Sequence, residues 1–245
     1  YPEMFLLKRG DLHQKVEPVQ PGFLRVLMPS QATQDQWKVN PPAGWTRTRF
    51  SRASLANWIT DPTEGAGQLA ARVIVNRLWQ HHFGRGLVAT PSDFGFQGTR
   101  PTHPELLDWL AATFIEKGWS VKEMHRLIMT SAAYQMSSRN RSDAYAIDPV
   151  NDNFWRFDMR RLTAEEVRDS ILAVSGQLNL KSGGPGVYPP IPKEVLAGQS
   201  VPGSGWGNSP PEEAARRSVY VHVKRSLLVP ILSQHDMADT DSSCA

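Results

Sequence analysis

The chain has 245 residues, 40% hydrophobic and 21% charged, with a formal net charge of +3 and a single cysteine, Cys244. That suits one large globular domain or two small ones. One cysteine excludes an intrachain disulfide framework, a cysteine-rich zinc or iron–sulfur site and c-type haem attachment, and no apolar run approaches the roughly 18 residues of a membrane span. The amino end, Tyr1-Pro2-Glu3-Met4-Phe5, lacks the basic region and apolar stretch of a signal peptide. The chain reads as a truncated piece of a longer protein, cut at both ends. Of its 27 basic residues, 19 are Arg and 8 are Lys. Guanidinium forks match carboxylate, sulfate and phosphate in paired geometry, so the bias suits internal Arg–Glu pairs, the simpler reading, or an anionic ligand.

In chain order, Phe5-Leu6-Leu7 and Phe23 to Leu27 read as short extended pieces separated by turns. Residues 31 to 50, centred on Pro41-Pro42-Ala43-Gly44, read as a linker or surface loop. Ser51 or Ser54 is placed to cap a short helix carrying Leu55, Trp58 and Ile59, which Asp61-Pro62 stops. Leu69 to Phe83 is the strongest helix, with Ile74, Leu78 and His82 on an apolar face, Arg72, Asn76 and Gln80 on a polar stripe, and Gly84 as its stop. Three more helices are announced by a hydroxyl and a carboxylate three residues apart: Thr102 with Glu105, Ser120 with Glu123, Thr163 with Glu166. Gly118 and Gly176 end the first and third. Their apolar residues, Leu106, Leu107, Leu110 and Phe114, then Met124, Leu127 and Ile128, then Val167, Ile171, Leu172 and Val174, predict packing around one core. Residues 181 to 211 are rich in Gly and Pro and read as a long loop or lid. Val219, Val221 and Val223 alternate with polar residues as in a half-buried strand. The fold class expected is mainly α: an irregular helical domain over 51–245 with long Gly/Pro-rich loops, preceded by an extended segment and linker over 1–50, with a few short strands near both ends.

Several constellations hold groups able to do chemistry. Arg77 and His81 lie one helical turn apart and can face one cleft. Adjacent His81 and His82 point about 100° apart on a helix, so they do not share a metal, and packing or helix-end roles are the simpler reading. The loop Thr90 to Gly98 lacks the spacing of a phosphate loop, and Asp93 reads as the organiser of its turn. Arg100 and His103 follow it. His235 to Ser243 concentrates Asp236, Asp239 and Asp241, but the glycine and closing glutamate of a calcium hand are missing, and no metal is expected. Phe154 to Leu162 is basic and aromatic, which suits stacking on rings or ion pairing with Glu165 and Glu166. The link Lys117-Gly118-Trp119-Ser120 has helix-turn-helix spacing, but Val121 and Met124 occupy the reading positions and the net charge is low, so no nucleic acid is expected.

Taken together, Asn76-Arg77-Leu78-Trp79-Gln80-His81-His82-Phe83-Gly84-Arg85-Gly86, Thr90-Pro91-Ser92-Asp93-Phe94-Gly95, His103-Pro104-Glu105-Leu106-Leu107, Arg160-Arg161-Leu162-Thr163-Ala164-Glu165-Glu166 and Asp236 to Asp241 resemble the planctomycete PSD domain, a domain of unknown function (1553) found toward the carboxyl end of cytochrome-c-domain-containing proteins. The resemblance implies export to an extracytoplasmic setting rich in polysaccharide-degrading proteins. It also implies a separate cytochrome-c-like domain, so haem is expected only outside this chain. It carries no catalytic residues. An accessory domain that binds polysaccharide, neutral or sulfated, would use Arg77, Arg100, Trp79 and Trp206. A glycan hydrolase or lyase would use Asp93, His81 or His103. A third alternative is a structural partner of the attached cytochrome domain.

Overall fold

The computed structural model describes residues 3–29 and 31–238, which divide into two units at Asp158 and Met159. The first unit opens with an antiparallel strand pair, β1 (Met4–Leu7) and β2 (Lys15–Val19), in which Met4 faces Val19 and Phe5 faces Pro18. Pro18 has no N–H to give to a ladder, which two-stranded edges tolerate. The expected extended piece Phe23 to Leu27 is not a strand. Arg25–Leu27 is a 3-10 turn, and Phe23 instead stacks on Trp58 and meets Trp37 edge-on, both at 5.5 Å.

Residues 31 to 50 carry no regular element among those described, yet they are tied down. Trp37 is buried and donates its indole N–H to Asp61 at 2.8 Å, while Val39 N–H bonds the Ser54 hydroxyl at 2.9 Å. These contacts hold the segment against α1 (Ser51–Thr60). Neither serine caps that helix: the residue before it is Phe50 in left-handed geometry, and Ser54 lies inside, its hydroxyl donating back to Phe50 O. The helix ends at Asp61, which the following proline holds extended.

The main core is built by α2 (Gly67–Phe83), α3 (Pro104–Glu116) and α4 (Val121–Met129). Its α2 face is Ala71, Val75, Trp79 and Phe83, with Ile74 and Leu78 only partly buried beside it. The face is thus turned from the predicted one. Asn76, expected on the polar stripe, is fully buried because its carboxamide donates to Val88 O at 3.0 Å and accepts from Val88 N–H at 2.8 Å. Gly86 lies against that amide; a Cβ there would stand 2.6 Å from Asn76 Nδ2. Leu87 and Val88 are thereby delivered to the core. Thr102 does not cap α3. Pro104 takes the first helical position, which its fixed φ and missing N–H favour, so the cap falls on His103 and Thr102 N–H bonds Leu87 O. Ser120 does cap α4, accepting from Glu123 N–H, but Glu123 turns to Arg126 rather than closing a box. A short helix α5 (Ser142–Ile147) completes this unit.

The second unit holds α6 (Ala164–Val174) and the short helices α7 (Lys193–Ala197), α8 (Pro211–Ala214) and α9 (Pro230–Ser233). Here the capping box is complete: Thr163 accepts from Glu166 N–H while Glu166 accepts from Thr163 N–H. The expectation of one shared core does not hold. Ala164, Val187, Val221, Val229 and Leu232 form this unit's own cluster, and Ile171 and Val174 of α6 are exposed. The expected strand over Val219 to Val223 is also replaced, since Ser218–Tyr220 is a 3-10 turn with Val219 and Val223 exposed. Asp169 captures both Ser218 N–H and its hydroxyl at 2.7 Å, and Arg168 donates to Arg216 O and the same hydroxyl, which pulls the backbone out of extended form. Of the expected strand, Val221 alone keeps a bridge, an isolated parallel one to Val187. The chain is therefore helix-rich, with two short strands among the described residues.

Two outcomes follow from this packing. Asn76→Ala orphans both Val88 groups and is expected to lower unfolding free energy by about 3 kcal/mol in urea titrations. Glu166 is held at a pKa of about 2, below its usual 4.5, first by the paired hydrogen bonds of Arg160 and then by Thr163 N–H. A depressed carboxylate stabilises fully above its unfolded value and loses that contribution as pH falls through the folded one. Arg160→Gln is therefore expected to be less stable than the parent above pH 4.5, the gap closing as pH falls toward 2 in thermal scans.

Candidate functional site

The first unit gathers the residues around the end of α2. Arg77 and His81 are exposed one turn apart, and Arg100 is exposed on the following loop. Trp79 departs from the expected ligand set: it is 5% exposed, stacked on Phe83 at 4.2 Å and edge-on to Phe154 at 5.4 Å, so it offers no open face to a bound ring. Asp93 is half-buried, its carboxylate accepts from Gly95 N–H at 2.8 Å, and Thr90 donates to its carbonyl, which closes the turn. His103 lies within hydrogen-bonding distance of the Thr102 hydroxyl and 5.7 Å from the Phe154 ring.

Two features here escape a reading by motif. Arg85 pairs with Asp152 at 2.8 Å, donates to Asn151 O and lies over the Phe154 ring, binding the segment 151 to 154 to the end of α2. His82, not His81, finds a second imidazole, with Nε2 2.8 Å from Nδ1 of His125 on α4. Among the described residues no group of three or more His, Cys, Asp or Glu side chains is placed to hold a metal. The acidic run 236 to 241 lies outside the described residues at Asp239 and Asp241, and Asp236 pairs with Arg161 at 2.5 Å.

The segment 148 to 158 is stitched to itself. The Asp148 carboxylate sits below its usual range because Asn153 N–H donates to it, outweighing the effect of burial, with Asp152 N–H and Asn153 Nδ2 adding to the pull. Asn151, 1% exposed, joins Arg156 through both amide atoms. Of the basic and aromatic run, Arg156 pairs with Asp158 and Arg160 with Glu166, so ion pairing accounts for it.

In the second unit, the Gly/Pro-rich segment is held by a buried arginine. Arg216, 1% exposed, donates to the carbonyls of Lys181, Gly183 and Pro185 and stands 4.0 Å from the Tyr220 ring centroid. Its partners substitute for a ladder where glycines and prolines cannot form one. Beyond this hub Tyr188, Trp206 and His222 make an aromatic cluster, with ring centroids 5.4 Å apart for Tyr188 and Trp206 and 4.8 Å for Tyr188 and His222. Gly207 passes so close under Tyr188 that a Cβ would stand 2.8 Å from its ring. Trp206 donates its indole N–H to Pro189 O, which fixes the half-buried ring against this unit's apolar cluster. Two residues along the chain from Trp206 and His222 lie Ser204 and Lys224. Lys224 bonds Ser204 O, and both line a polar cleft of about 390 Å³ with Gln199, Ser200 and Ser226. A partly open indole, a lysine and several hydroxyls can together receive a polar ring that carries negative charge. Of the sequence-derived candidates, Trp206 alone belongs to this unit.

Residues 51–245 match the family described as protein of unknown function (DUF1553), and the chain belongs to that family. The match begins at the first residue of α1. No curated protein and no solved structure matches the chain.

Replacing Arg216 by Lys leaves at least two of its three carbonyl acceptors unmatched. It is expected to cost about 3 kcal/mol and to open the segment 181 to 186 to limited proteolysis, checked by denaturant unfolding and by mapping the first cleavage.

Proposed function

We propose that this chain is an accessory binding domain for acidic, sulfated polysaccharide in an extracytoplasmic protein, and that the ligand lies on Trp206 with its anionic group toward Lys224. The observation that carries this reading is the half-buried Trp206 ring, fixed by its bond to Pro189 O, two residues along the chain from Ser204, which lines a cleft with Lys224, Ser200 and Ser226. An aromatic face covers the C–H surface of a sugar ring, while hydroxyls and a cation meet its polar edge. Arg77 and Arg100, exposed in the first unit, offer a polyanion a separate pair of cations there. Trp79 takes no part. The hydrolase or lyase reading has less behind it, since the Asp93 carboxylate is engaged by its own turn. A structural role beside a cytochrome domain has no geometric feature in its favour among the described residues.

Affinity electrophoresis of the chain through gels containing sulfated or neutral glycan tests the reading. Retardation is expected in the sulfated gel, weakening as salt rises because exposed charges are screened. Trp206→Ala is expected to reduce retention roughly tenfold, as for loss of one stacked ring, and to lower the thermal midpoint while leaving the chain folded, since the ring also packs on Tyr188 and His222; Arg77→Ala is expected to reduce retention less, with unchanged thermal unfolding. Equal mobility of parent and Trp206→Ala in every gel would overturn the assignment.

A further inference from the structure

A cavity of about 410 Å³ lies in the first unit beside the start of α1, within the size range of small-molecule sites. Three stretches wall it, 20 to 23, 38 to 41 and 49 to 55. Each is pinned from behind. Phe23 exchanges two backbone hydrogen bonds with the Gln34 carboxamide, at 2.7 and 3.2 Å, and its ring stacks on Trp58. Val39 N–H is held by the Ser54 hydroxyl at 2.9 Å, and Trp37 just before it by Asp61. Phe50 takes a left-handed conformation, with φ 57°, and Arg49 and Ser51 on either side of it both line the cavity. The cavity is thus preformed. Its walls combine residues that precede the family match with the first residues inside it.

The lining divides by chemistry. Phe23, Val39 and Leu55 supply apolar wall, and Leu55, 48% exposed, is open to a ligand. Lys38 and Arg49 are the charged lining residues, both cationic, and among the described residues no carboxylate joins them. Lys38 pairs with Asp35, which stands outside the lining, but both side chains are mostly exposed, and such a surface pair holds the amine only weakly. The Ser54 hydroxyl is spent on Val39 N–H and Phe50 O, which leaves the two cations as the strongest polar groups. Two like charges beside an apolar wall are matched by an anion carried on a hydrophobic body. We propose that this cavity binds a compact organic acid, an aromatic carboxylate, with its ring against Phe23, Val39 and Leu55 and its carboxylate toward Lys38 and Arg49. The site does not rest on the glycan reading, whose cleft belongs to the second unit.

Titration of the whole chain with para-fluorocinnamate, followed by fluorine NMR, tests it. Saturable binding is expected, with nuclear Overhauser contacts between the ligand ring and the Phe23 ring. The neutral para-fluorocinnamamide is expected to bind roughly tenfold more weakly for want of charge-assisted hydrogen bonds. Arg49→Gln is expected to lose a similar factor for the acid, whereas Lys122→Gln, at an exposed position of α4, binds it as the parent does. Leu55→Trp fills the cavity from an exposed helix position and is expected to abolish binding while the chain stays folded. Absence of saturable binding, equal affinity for acid and amide, full affinity in Leu55→Trp, or a loss in Lys122→Gln as large as in Arg49→Gln would each overturn the proposal. Should Arg49→Gln fail to fold, the comparison of acid with amide on the parent still decides it.

Discussion

Asn76 sits at the centre of a 17-residue helix with no exposed surface, and its carboxamide makes with Val88 the two hydrogen bonds that one strand residue makes with another. A buried amide of this kind must be fully paired, so the loop after α2 has to return with Val88 beside Asn76. Gly86 follows from the same constraint, because a side chain there would strike the amide. Leu87 and Val88 enter the core as a result, and Leu87 O receives Thr102 N–H immediately before α3 begins. The start of α3, and with it the packing of Phe114 against Trp119 and α4, is set from this one point.

The second unit solves a different problem. Its long Gly/Pro-rich segment has few regular hydrogen bonds of its own, and the guanidinium groups of Arg168 and Arg216 supply donors to five of its backbone carbonyls and those of the adjacent turn. Five fixed N–H groups on a planar fork suit this role better than the point charge of a lysine. The excess of arginine over lysine has its main structural use here and in pairs such as Arg85 with Asp152, Arg156 with Asp158 and Arg160 with Glu166. The bias is thus weak evidence for an anionic ligand, and Lys224, which lines a polar cleft with Ser200, Ser204 and Ser226, is the more specific feature.

The candidate site was only partly legible. Trp206 stands between Gly205 and Gly207, which marks it as a loop aromatic, although the same Gly/Pro-rich segment, expected to be loop throughout, forms the short helix α7 further back. Its neighbours Tyr188 and His222 come from 18 and 16 residues away in the chain, and nothing local announces them. Trp79 looked equivalent by residue type alone. Its helical position is on the same face as Val75 and Phe83, and the arrival of Phe154 closes the remaining side.

What the sequence by itself determined is local: where helices start and stop. Thr163 with Glu166, Gly84, and Asp61 before Pro62 act through contacts within four residues, and each is found in the structure. Membership of the family likewise rests on motifs that can be read along the chain. Only the tertiary structure decided which side chains are buried and which polar groups they meet. Asn76 reaches Val88 across 12 residues, Arg168 reaches Ser218 across 50, and His82 reaches His125 across 43. Such pairings depend on which segments are packed together, a choice made by the burial of whole helix faces rather than by the preference of any one turn.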